Sequence, residues 1–180
     1  MSTNLTVQPN SSMGPRRRRT FNKGEKASQF DHEVLEIARV VRVVKGGRRF
    51  RFRASVVVGD RSGMVGLGVG KSRDVQQAIK KAEDAAAKRV IKVSLKKGTI
   101  LHSVQVSYKG AQILLKPAKP GTGVIAGGIV RTVADLAGIK DLVSKRYGSV
   151  NKMSNAKAAL AALVASGVSV GSVKKKVDKE

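Results

Sequence analysis

Arg42, Lys45, Arg48, Arg49, Arg51 and Arg53 crowd into one short stretch of the chain. Arginine stays protonated at any working pH, so the five arginines of this set cannot supply general bases. What guanidinium groups do well is grip phosphate, often through two parallel N–H···O bonds. Gly46 and Gly47 separate the two halves of the stretch and tolerate the positive φ of a tight hairpin turn. Lys71 and Arg73 add cations where a helix is expected to start, and backbone N–H groups there also favour anions. The chemistry on offer is therefore phosphate binding.

Two glycine runs imitate nucleotide motifs and fail on context. Gly70-Lys71-Ser72 ends as a P-loop ends, but Val65 stands where that motif needs its first glycine. Gly121-Thr122-Gly123-Val124-Ile125-Ala126 matches G-x-G-x-x-A, and Asp141 lies near the spacing of a ribose-binding acid. Pro117 and Pro120 nevertheless part it from its strand, and no long parallel βαβ array surrounds it. Small residues that let a phosphate approach backbone N–H groups explain both runs more simply. The competing explanation is close strand–helix packing. With no Cys and only His32 and His102, thiolate chemistry and a histidine-built metal centre are excluded. No Ser–His–Asp set or carboxylate pair emerges from spacing, so neither catalysis nor a cofactor, metal or small-molecule substrate is expected.

The bulk charge agrees. Thirty-six basic against twelve acidic residues give +24, and the excess runs through the whole chain. Self-repulsion of that size is tolerated where a polyanion supplies compensating counterion release. No stretch approaches the roughly 20 apolar residues of a membrane span, and residues 1–30 lack a signal-peptide core. A cytoplasmic, membrane-free protein is expected.

These residues need elements to hold them. Residues 1–30, with the block Arg16–Arg19, are too polar to fold alone and read as a basic arm. Val34–Val44 is β-branched and reads as a strand, turned back at Lys45–Arg48. Arg49, Arg51 and Arg53 alternate with Phe50, Phe52 and Ala54, which predicts one wet and one dry face. The alternation favours core packing of both phenylalanines over base stacking. Gly59–Gly63 is a turn, Met64–Val69 a strand, and Val75, Ala78, Ile79, Ala82, Ala86 and Val90 form a helical stripe capped by Ser72 or Asp74. Beyond a boundary at Lys96–Gly98, strands are expected at Ile100–Tyr108 and Gln112–Lys116. A helix over Ala126–Ala137 should stop at Gly138, followed by a strand over Asp141–Tyr147. A last helix, capped by Ser154 and carrying Leu160, Leu163 and Val164, should end at Gly167. The Lys174–Lys176 tail reads as unstructured.

Three segments carry a resemblance: KGGRRFRF at Lys45–Phe52, VVGDRSGMVGLGVGKSRDVQQAIKKA at Val57–Ala82, and KPAKPGTGVIAGGIVRTVADLAGIKDLVSKRYGS at Lys116–Ser149. From Val34 to about Gly167 the chain resembles the bacterial small-subunit ribosomal protein S-five family. Asp74 stands where that family more often has Glu. The Arg16–Arg19 arm and the stretch after Gly167 lie outside the matched region, and composition alone makes them a basic arm (1–30) and a basic tail (169–180). Between them the resemblance implies an α+β protein with a double-stranded-RNA-binding-like domain (31–97) and a C-terminal α/β domain (98–168). The first domain would be three antiparallel strands and a helix. The second would be a β-α-β-α two-layer domain with a left-handed crossover, against the usual hand.

The resemblance also implies a structural, non-enzymatic protein of the small ribosomal subunit. Its partners would be 16S ribosomal RNA, the neighbouring proteins S-four and S-eight, and messenger RNA near the entry tunnel, with effects on assembly and decoding accuracy. RNA contacts would come from Arg42, Lys45, Gly46, Gly47, Arg48, Arg49, Arg51, Arg53, Lys71 and Arg73, with Lys119, Gly121, Thr122 and Gly123 as a second set. Gly98, Thr99, Leu101 and Arg131 would fall in a region linked to accuracy or to protein neighbours.

Overall fold

Val56, Val57 and Val58 are all buried although consecutive strand residues point to opposite faces, so their strand is covered on both sides. That single fact organises the molecule. The computed structural model describes residues 30–167; the Arg16–Arg19 arm and the Lys174–Lys176 tail lie outside them.

The first sheet has the order β1 (Asp31–Val44), β2 (Gly47–Gly59), β3 (Met64–Ser72) and β4 (Ile91–Lys92), all antiparallel. The expected three strands are present, and the two-residue β4 is an addition too short to carry a periodic signal. Helix α1 (Val75–Ala87) lies between β3 and β4. Its cap is Asp74, whose Oδ2 accepts the Gln77 N–H at 3.4 Å, while the Ser72 hydroxyl turns to Gln77 Oε1 at 3.1 Å. One face of the sheet buries Ala54, Val56 and Val58 against Ala78, Ala82 and Ala86 of α1. The other face contributes Val57, Val65 and Leu67 to a larger cluster built mostly from the C-terminal half. The division of the chain near residue 97 is thus not a division of the core, because the larger core is shared.

The second sheet has the order β5 (Val104–Tyr108), β6 (Ala111–Pro117), β8 (Leu142–Gly148) and β7 (Val124–Ile125). β7 runs parallel to β8, and α2 (Gly128–Leu136) makes the crossover between them. The expected strand from Ile100 begins only at Val104, because residues 96–99 form a pinned turn. Lys97 and Gly98 both take positive φ (51° and 80°). The Gly98 carbonyl accepts N–H bonds from Lys140 and Asp141 at 2.8 and 3.2 Å. Gly138, at φ 78°, ends α2 as expected.

The last helix, α3 (Lys152–Ser166), starts earlier than Ser154. Asn151 is its cap, and its Oδ1 accepts from Met153 and Ser154 N–H groups. Two capping-type residues lie close together, and only local geometry decides between them. Leu163 is buried and Leu160 packs on the core, but Val164 is exposed, so the expected inward trio is a pair.

Candidate nucleic-acid interface

β1 and β2 outrun the rest of their sheet. Pairing with β3 ends at Phe52–Ser72, so from Arg51 to Gly47 the ribbon has only two strands. A two-stranded hairpin is marginal in water by itself, and this one is anchored by its buried base. Its turn, Lys45-Gly46, has Gly46 at φ 80°, where an added Cβ would meet no atom of the described residues.

Register assigns the two faces. Opposed residues of an antiparallel pair share a side. The pairs Arg42–Arg49, Val40–Arg51 and Ala38–Arg53, with Lys71 beside Arg53, therefore lie on one face. It continues the face that buries Val57 and Leu67 lower down. Val40, Arg42, Val44, Arg49, Arg51, Phe52 and Lys71 line an open cleft of about 370 Å³. A second cleft, about 320 Å³, is lined by Arg51, Lys71, Ser72, Arg73, Gln77 and Lys81. Arg51 and Lys71 belong to both, so the two are one groove from the hairpin to the start of α1. Among the described residues the ion pairs are Arg61–Asp31 and His32–Glu83, and none involves these groove cations. The groove is a run of unneutralised positive charge, which is the electrostatic footprint of polyanion binding.

Not every expected residue joins it. Lys45, Gly46, Gly47 and Arg48 sit at the tip. Lys119, Gly121, Thr122 and Gly123 belong to the β6–β7 connection of the other sheet. There the Lys119 carbonyl accepts the Thr122 N–H, and Asp141 Oδ1 accepts the Gly123 N–H at 2.9 Å. Asp141 is buried and spent on pinning this loop, so it is no ribose ligand. Arg131 Nη2 donates to the Val124 carbonyl at 3.0 Å, and Leu101 is exposed.

The first glycine run is not a phosphate cradle. A Cβ at Gly66, Gly68 or Gly70 would collide with the carbonyl oxygens of Ala86, Ala82 and Ala78. These glycines let β3 lie directly on α1, and the P-loop likeness at Gly70-Lys71-Ser72 is a by-product of packing. Gly121, Gly123, Gly127 and Gly128, in contrast, face open space.

Two groove residues fall outside the expected contact set. Gln77 and Lys81 line the groove from α1, one and two turns beyond its cap, and helical spacing from Arg73 could have pointed to them. Arg39 stacks on Phe50, with its guanidinium carbon 3.8 Å from the ring centroid. Phe50, expected to pack in the core, is instead 42% exposed. Phe52 does pack against the smaller core. Alternation marks a shared face but cannot say how far along the strand α1 reaches to cover it.

Fold and surface together define a class: a small basic α+β protein whose built feature is an open cationic blade. No helix among the described residues is long and apolar enough to cross a membrane. Residues 30–94 match the family model for the N-terminal domain of ribosomal protein S5, and residues 106–168 match that for its C-terminal domain. The small ribosomal subunit protein uS5 of Campylobacter jejuni strain 81-176 is 51% identical over 135 residues, 75% of this chain and 92% of that protein. The uS5 proteins of strains 81116 and RM1221 match to the same extent. The chain belongs to the ribosomal protein S5 family, structural and non-enzymatic components of the small ribosomal subunit.

Proposed function

We propose that this protein holds 16S ribosomal RNA in the cytoplasmic small subunit through the outer half of the β1–β2 hairpin. The groove of Arg42, Arg49, Arg51, Lys71 and Arg73, extended by Lys81 and with Arg53 on the same face beside it, grips the RNA backbone, while Lys45–Arg48 engages RNA at the tip. Phosphate contacts position a protein without reading sequence, and the deep groove of A-form RNA hides its base edges. Specificity on this reading comes from RNA shape and irregular junctions.

Residues 31–97 form the grip and 98–168 the platform that carries it. Lys119, Gly121, Thr122 and Gly123 make a secondary RNA or neighbour contact. The surface near Gly98, Thr99, Leu101 and Arg131 faces protein neighbours, S-four or S-eight, close to the messenger path, and through it the protein influences assembly, messenger entry and accuracy.

The observation that carries this proposal is the groove itself: cations from β1, β2, β3 and α1 converge with no carboxylate of the described residues paired to them. Its test is the salt dependence of binding to a 16S ribosomal RNA fragment by fluorescence anisotropy. Replacing Arg42 and Arg49 with Ala lowers affinity and flattens the plot of log affinity against log salt by roughly 0.7–0.9 per lost contact. An unchanged slope removes this face from the RNA interface.

A further inference from the structure

We propose that the opposite face of the hairpin binds an unstacked base of the RNA, with Phe50 as the stacking platform and Arg39 as its clamp. This rests on the RNA reading above and deepens it: one ribbon face takes phosphates, the other takes a base.

Register places Val41 across from Phe50, Arg39 across from Phe52, and Val43 across from Arg48, all on the α1 side of the ribbon. Lower down, this face is the one that buries Ala54 and Val56 under α1. At Phe50 that cover has ended, because β3 pairs no further than Phe52. Phe50, Val41 and Val43 are 42%, 44% and 75% exposed. An exposed aromatic flanked by exposed β-branched residues is a contiguous apolar patch, and such patches mark interaction sites.

Charge selects the occupant. From Ile37 to Arg53 the hairpin holds no Asp or Glu, and Arg39 and Arg48 belong to this same face. Covering it with an apolar protein surface would strip water from both arginines without compensation, which is costly. A nucleotide matches both demands, since its base has a π-face and its phosphate is an anion. The Phe50–Arg39 pair, already in contact at 3.8 Å, joins a phenyl ring to a guanidinium, two groups on which unstacked bases pack. Only a base freed from its own helix reaches that pair, so the face reads a bulge or junction rather than a regular duplex.

The experiment uses the full chain and two RNA hairpins: one with a single bulged 5-iodouridine, the other identical but lacking the bulge. We expect Phe50→Ala to weaken binding to the bulged RNA about tenfold, with the bulge-free RNA and both salt slopes unchanged. Phe50→Tyr should restore binding. Irradiating the wild-type complex should crosslink the iodouridine to Phe50, a readout that does not depend on any variant folding. Equal affinity of wild type and Phe50→Ala for the bulged RNA overturns the proposal, as does a crosslink to a different residue. Full rescue by Phe50→Leu also overturns it, since an apolar contact would then suffice and the face would suit a protein neighbour. If wild type binds neither RNA, the phosphate-face reading falls as well. If it binds both and only the Phe50 results fail, the loss is confined to base stacking.

Discussion

The two halves of β2 are one continuous strand with opposite obligations. From Ala54 to Gly59 every residue is buried, because α1 covers one face and the C-terminal half covers the other. From Gly47 to Arg51 every residue is exposed, and the ribbon has lost its third strand. The inner half carries stability, and the outer half is the part proposed above to make contact. Because β-pairing transmits position along the strand, the buried inner half sets where the cations of the exposed outer half lie. A binding blade can then be rich in like charge: the repulsion it suffers is met by packing energy gained elsewhere.

Substitutions that respect this division should separate two measurements, urea midpoint and RNA affinity. The largest effect is expected from Gly68→Val. Its side chain must enter the space of the Ala82 carbonyl and the Ala86 backbone. Overpacking of this kind costs about 3 kcal/mol or more, and β3 should separate from α1. Val57→Ala comes next. Removing two methyl groups from a fully buried side chain in the shared core costs roughly 2–3 kcal/mol. Its urea midpoint should fall while the salt slope of RNA binding in the folded protein stays at the wild-type value. A changed slope would mean that the inner half is not merely a support.

Asn151→Ala removes the cap of α3 and should cost about 1 kcal/mol. The same change at Ser154 should cost less than half of that, which checks which residue caps the helix. At the small end, Arg49→Ala and Arg51→Ala should shift stability by no more than about 0.5 kcal/mol, as exposed positions usually do. The pair should nonetheless weaken RNA binding clearly at low salt and little at high salt. A stability loss comparable to that of Val57→Ala would erase the distinction between the two halves.

Much of this was legible in the chain. The stripe Val75, Ala78, Ala82 and Ala86 announced α1, and Ser72 and Asp74 both offered it a cap. Lys45-Gly46-Gly47-Arg48 announced the hairpin, and Gly138 the end of α2. These signals are local: a helix period, a cap and a positive φ involve residues within a few positions of one another. The groove was legible as a composition, since Arg42, Arg49, Arg51, Lys71 and Arg73 stand out by type and spacing, but not as a shape. Lys81 and Gln77 join it only because α1 starts where β3 ends. The bulge at Leu35, which leaves its carbonyl to the Lys152 ammonium at 3.2 Å, had no signal at all.

Phe50 and Phe52 show where local reading stops. Both occupy the same phase of the same strand, yet one packs against the small core and the other is exposed beneath Arg39. Likewise Gly66, Gly68 and Gly70 resemble Gly121 and Gly123 in sequence, but the first set meets a helix backbone and the second meets solvent. The amino-acid sequence by itself determined the elements, their faces, the positive charge and the kind of partner such charge requires. Tertiary structure alone decided which faces are covered, how far the cover extends, and which cations share a groove. Pattern and propensity act over a few residues, whereas burial depends on where a distant layer begins and ends.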